Sequence, residues 1–123
     1  MRKLERHEAD VYFDLLDKNQ AKILRDLCDR LVKLAKAEPD LIISYQLPTV
    51  RVAGKNFLAF AGWKDFYSIY LLSGSVGKSI ENELNQGQLD KSTIRFSWEE
   101  RVTDKTLKLL VKAKQLELAS RIR

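Results

Sequence analysis

Three runs of β-branched and aromatic residues follow one another closely between Thr49 and Leu72, and this spacing constrains the fold more than any other feature of the chain. The runs cover about 49–53, 57–62 and 66–72. Gly54-Lys55-Asn56 supplies the first turn, and Trp63-Lys64-Asp65 lies at or near the second. Parallel neighbours need a crossover of roughly a dozen residues or more. Three strands this close together therefore have to pair as an antiparallel meander. Pro48 fits the start of the first strand, where a missing N–H does no harm. A further alternating run, Thr93–Ser97, adds a last strand, so a sheet of about four strands is expected.

Helical spacing dominates on both sides of this region. Val11, Tyr12, Leu15 and Leu16 predict a short amphipathic helix from about Glu8 to Leu16. Asp17 followed by Gln20 reads as a cap for a second helix, with Leu24, Leu27, Cys28, Leu31 and Ala35 on one stripe. Opposite charges four apart, such as Asp26 and Arg30, line its other side, and Pro39 stops it. Ser75 is placed to cap a third helix carrying Val76, Ile80 and Leu84, which Gly87 would end. Thr103 or Asp104 starts the last helix. The order of elements gives an α+β fold, with an antiparallel sheet and the helices gathered on one face.

A chain of 123 residues fits one domain, 1–123, and one core. With 45% hydrophobic and 32% charged residues it has a globular balance. Its longest apolar stretches are too short to span a bilayer, and the charged start leads into no apolar segment of a secretion signal. The single cysteine cannot form an internal disulfide. The expectation is a cytoplasmic protein with no membrane contact.

The motifs that carry chemistry are few. Gly74-Ser75-Val76-Gly77-Lys78-Ser79 resembles a phosphate-binding loop, but Leu72 stands where that loop requires its first glycine. Nucleotide hydrolysis is therefore excluded. His7, Asp10, Asp14 and Asp17 fall on one helix face and offer ligands for a hard or borderline cation such as iron. The alternative is a solvated acidic face near a helix start, with Asp17 engaged as a cap. Cys28 lies on an apolar stripe, where a small buried hydrophobe is the default. One histidine and one cysteine allow no zinc spacing.

Net charge is +5, and the last 22 residues contribute most of it, with six basic and two acidic side chains. In the C-terminal helix Leu107, Leu110, Val111 and Leu118 share the stripe that should face the core. Lys105, Lys108 and Lys112 form a basic row on another face, which is either solvated or a contact for nucleic acid; no aromatic is interleaved for base stacking. Leu109 and Leu116, seven apart, lie away from the first stripe. Either the helix is buried on two sides of its own domain, or these leucines meet a partner or a second copy in a homodimer.

The ordered set Ile43-Ser44-Tyr45-Gln46-Leu47-Pro48, Gly54-Lys55, Phe57-Leu58-Ala59-Phe60, Ser68-Ile69-Tyr70 and Lys91-Ser92-Thr93-Ile94-Arg95-Phe96 resembles the YdhG-like family, a bacterial domain family of unknown function. Some members are described as frataxin-like intracellular iron chaperones. The resemblance runs from about Asp10 to Lys114. It implies an α+β fold with an antiparallel sheet, a cytoplasmic location, no established enzymatic activity, and iron as the one cofactor in question. Phe66 stands where the family often has histidine, and Leu47 where it usually has methionine.

If these motifs mark a shared surface, Tyr45, Lys64, Tyr70 and Arg95 are its polar members. They would hold a small acidic ligand or a partner peptide. The bland alternative is that the tyrosines satisfy buried hydroxyls and the cations decorate strand ends. An enzyme built on Tyr45, Lys64 and Arg95 would lack a general base. The sequence thus favours a non-enzymatic binding or accessory module, with iron handling as its finer reading and nucleic-acid binding through Lys105, Lys108 and Lys112 as the alternative.

Overall fold

The computed structural model describes residues 3–35, 40–44, 46–52 and 54–122, and of residues 3–8 and 120–122 the backbone alone. Asp17 divides the N-terminal helices. Its carboxylate accepts the Gln20 N–H at 2.9 Å and caps α2, Lys18–Leu34. The preceding helix, α1, is Lys3–Asp14, so it begins before Glu8 and ends before Leu16. Leu15 and Leu16 donate to Tyr12 and Phe13, a three-residue spacing that tightens the last turn and frees the chain for the Asp17 cap. Among the described side chains of α1, Ala9 and Phe13 are buried, whereas Val11 and the following Leu15 point outward. The predicted stripe of α2 holds: Leu24, Leu27, Cys28 and Leu31 are all buried. Pro39, expected to stop this helix, lies outside the described residues.

Six strands follow instead of about four, in the order β1-β2-β3-β4-β6-β5, and every neighbouring pair is antiparallel. They are β1 Asp40–Ser44, β2 Leu47–Val52, β3 Lys55–Gly62, β4 Phe66–Tyr70, β5 Gln88–Asp90 and β6 Thr93–Ser97. The two additional strands, β1 and β5, are short edge strands. The expected end of the first run, Ala53, lies outside the described residues. Between β4 and β5 runs α3, Gly74–Ile80, and the chain closes with α4, Asp104–Ile122. Ser73, not Ser75, is the residue before α3, and the helix stops at Ile80, well short of Gly87. Gly87 instead adopts φ +70° at the start of β5. Thr103 caps α4 by accepting the Thr106 N–H at 3.2 Å.

All four helices cover the same face of the sheet. Leu58, Phe60, Tyr67, Ile69, Ile94 and Phe96 point from the strands into the core they share with α1, α2 and α4. A bulge opposite Val50 and Arg51 inserts Phe57 as an extra residue in β3, so Phe57 and Leu58 both face inward. Among the described residues no helix is long and apolar enough to cross a membrane.

The phosphate-loop look-alike has a packing explanation. A Cβ on Gly77 would stand 1.8 Å from the Lys91 carbonyl oxygen. Gly77 is there so that α3 can lie against the turn between β5 and β6.

Candidate functional site

The face of the sheet opposite the helices carries small and polar residues. Cross-strand partners share a face, and the register aligns Thr49, Ala59 and Tyr70 in one row and Ala61, Ser68 and Arg95 in the next. No helix lies over these rows, yet Thr49 and Ser68 are each 1% exposed and Ala59 only 3%. Larger neighbours and the curvature of the sheet shade them.

That curvature builds a cleft. Along β2, Ser44 pairs with Leu47 while Asn56 pairs with Arg51, four residues further on. In a flat sheet this offset is roughly 13 Å along the strand. The Asn56 side-chain amide nevertheless donates to the Ser44 hydroxyl at 3.2 Å. The β1–β2 hairpin is therefore curled across the open face, in keeping with the bend that a bulge imposes. The space enclosed is a cleft of about 760 Å³. Thr49 and Ala59 form its floor, and Leu47, Tyr70 and Leu72 its walls. Its rim is polar, made by Ser44, Asn56, Lys55 and Ser92.

The chemistry of the lining is one-sided. Lys55 is exposed and brings the one charge among the described lining residues, and no carboxylate is present there. The Tyr70 ring is half-buried, and its hydroxyl takes no hydrogen-bond partner among the described residues. Leu72 sits at φ +61° and is 44% exposed, a strained position on the cleft wall for a residue with a large side chain.

Against this geometry, the fold matches the crystal structure of YdhG, a DUF1801-family protein from Bacillus subtilis, with a TM-score of 0.80. The match covers 89% of this chain and 90% of that one, at 13% sequence identity. The two chains share one fold. No protein-family model matches the sequence, and no curated protein matches it.

Of the four residues expected to line a common surface, the three that are described, Lys64, Tyr70 and Arg95, are not brought together. Tyr70 is in the cleft. Arg95 is on the same face but turns to the other end of β4, where its guanidinium lies 5.3 Å from the centre of the Phe66 ring. Phe66 thus occupies Arg95. Lys64 is exposed in the turn between β3 and β4. Tyr45 lies outside the described residues.

The acidic row on α1 is engaged elsewhere. Asp10 and Asp14 accept from Arg25 at 2.7 and 3.2 Å, and the same guanidinium covers the Phe13 ring at 4.8 Å. A protein cation thus stands between the two carboxylates that were candidates for a metal. The side chain of His7 lies outside the described ones, and among the described residues no group of three metal-binding side chains occurs.

On α4, Lys105, Lys108 and Lys112 are exposed, Leu109 is partly buried and Leu116 is 63% exposed. One of the basic residues of this helix is not on its surface. Lys114 is 2% exposed, and its ammonium donates to the Leu71 carbonyl at 2.9 Å and to Glu117 at 3.1 Å. Glu117 also accepts from Ser75 at 3.3 Å. This cluster fastens the end of β4 and the start of α3 to α4. Its position was signalled, because 114 continues the stripe of Leu107, Leu110, Val111 and Leu118.

Proposed function

We propose that this chain is a non-enzymatic binding module of the YdhG-like kind, and that it takes a small acidic ligand in the cleft beneath the curled β1–β2 hairpin. One observation carries the reading. Five separate segments that make the sequence resemble that family each contribute to this cleft: Ser44 and Leu47 from the first, then Lys55, Ala59, Tyr70 and Ser92. They run from Ser44 to Ser92 in sequence, and convergence on one concave surface is what a shared binding site requires.

The lining also supports the class of ligand. An apolar floor and walls suit a small carbon skeleton, while hydroxyls, an amide and one ammonium suit its anionic or acceptor groups. The described lining holds no carboxylate or imidazole to serve as a general base, which favours binding over turnover. A cytoplasmic location accompanies this reading.

The finer iron reading has less behind it. It would rest on His7, Asp10 and Asp14, and Arg25 already holds the two carboxylates. Nucleic-acid binding through Lys105, Lys108 and Lys112 gains nothing specific beyond the exposure of the row.

A thermal-shift screen of small carboxylates and organophosphates tests the proposal, since a ligand that binds only the folded state raises its melting temperature. At least one such anion should raise the melting temperature of the native chain. Lys55→Glu and Tyr70→Ala should abolish that response while the unliganded protein still melts within a few degrees of native. A panel that gives no shift, or a shift that both variants retain, removes the proposal.

A further inference from the structure

The other side of the molecule carries a second concave feature, independent of the sheet cleft. Two hollows of about 610 and 460 Å³ lie along α4 and share Glu83, Leu109 and Lys112, so they form one groove from Lys105 to Leu116. At 1.5 Å rise per residue that stretch is roughly 16 Å long, the length of about three helical turns. Val76 and Ile80 of α3, together with Leu109, Ala113 and Leu116 of α4, give it an apolar floor. Leu116 is among the most exposed large hydrophobic residues of the chain.

The border of the groove is charged unevenly. Lys105, Lys108 and Lys112 stand along one side, and among the described residues none of them makes an ion pair. Of the two carboxylates that line it, Glu117 is held inward by Lys114 and Ser75. Among the lining residues that leaves Glu83 facing three lysines, with Asp104, outside the groove, close enough to Lys108 to feel its charge. An apolar floor beside a row in which ammonium groups outnumber carboxylates is complementary to a helix with leucine-type residues on one side and acidic residues next to them.

We infer that the groove between α3 and α4 docks an acidic amphipathic helix of a partner protein. A second copy of this chain fits less well, because it would bring two lysine rows together. A nucleic acid would use the lysines and leave Leu116 unexplained.

The test uses a fluorescently labelled synthetic helix of about four turns, with leucines spaced for one face and glutamates flanking them. Its control carries lysines in place of the glutamates. Anisotropy should report salt-sensitive binding of the acidic peptide and at least tenfold weaker binding of the basic one. Leu116→Ser and Lys108→Glu should each weaken the acidic peptide about tenfold, whereas Glu83→Lys should tighten it. Leu116 is exposed, so the fold should survive its replacement, as a melting curve will show. Equal binding of the two peptides, or no binding of either, overturns the inference. So does a Leu116-dependent dimer in sedimentation, or an oligonucleotide complex that Lys108→Glu destroys and Leu116→Ser leaves intact.

Discussion

The two faces of the sheet use the same strands for opposite purposes. On the covered face Leu58, Phe60, Tyr67, Ile69, Ile94 and Phe96 project into a layer of helices and are nearly inaccessible. On the open face Thr49, Ala59, Ala61 and Ser68 are almost as inaccessible, although no helix lies over them. The first group is buried by a second layer. The second is shaded by its neighbours and by the curl of its own sheet. Low exposure therefore has two meanings here: on one face it records packing energy, and on the other it records the floor of a concavity.

That distinction predicts a steep difference in stability. Phe60→Ala empties a site closed on all sides and should cost about 3–5 kcal/mol, read as a lower urea midpoint with an unchanged slope. A loss below about 1 kcal/mol would mean that the helices do not cover that face.

Next in size is Lys114→Met. It leaves the Leu71 carbonyl and the Glu117 carboxylate without their ammonium partner on the covered side, a loss of about 3 kcal/mol. The double variant Lys114→Met/Glu117→Leu should regain part of it, because it removes the carboxylate that the ammonium had balanced. If the single variant is as stable as native, the cluster is not the latch described above.

A smaller effect belongs to Tyr67. It packs between Phe96 and Trp98, and its hydroxyl donates to the Glu100 carbonyl. Burial, reinforced by the Glu100 charge, pushes its pKa from 10.0 up to about 12. A raised folded pKa means that the native state holds the proton more tightly. Its contribution is therefore complete below pH 10 and is lost as the pH rises towards 12. Tyr67→Phe should cost about 1 kcal/mol at neutral pH and flatten this alkaline decline. A decline that persists unchanged in the variant assigns it to other groups.

Strand alternation made much of the fold legible. Once Phe66–Leu72 is read as a strand, Tyr67 and Ile69 must oppose Phe66, Ser68 and Tyr70, and they do. The Asp17 cap and the α2 stripe were legible for the same reason: each depends on residues within a turn or two. The edge strand β5 was not legible, since three residues held by one neighbour leave no period to detect. Nor were the ends of α1 and α3, where short-range turns compete with helix propensity.

The cleft shows the limit more sharply. Tyr70 was singled out, but Ser44, Asn56 and Lys55 meet it only because a bulge and a curl bring distant segments together. No local pattern encodes that closure. Arg95 was singled out for its charge, and the neighbouring Phe66 ring draws it to the other end of the face.

Leu58 and Ala59 are consecutive in β3 and point to opposite faces, so urea denaturation of Leu58→Ala beside Ala59→Leu tests the one-sided architecture most directly. Leu58→Ala should lose about 2–5 kcal/mol, because the helices cannot close the cavity. Ala59→Leu should change stability by less than about 1 kcal/mol, since the added side chain can extend into the open cleft. If Ala59→Leu proves as damaging as Leu58→Ala, the second face is packed as tightly as the first, and no cleft is available to a ligand.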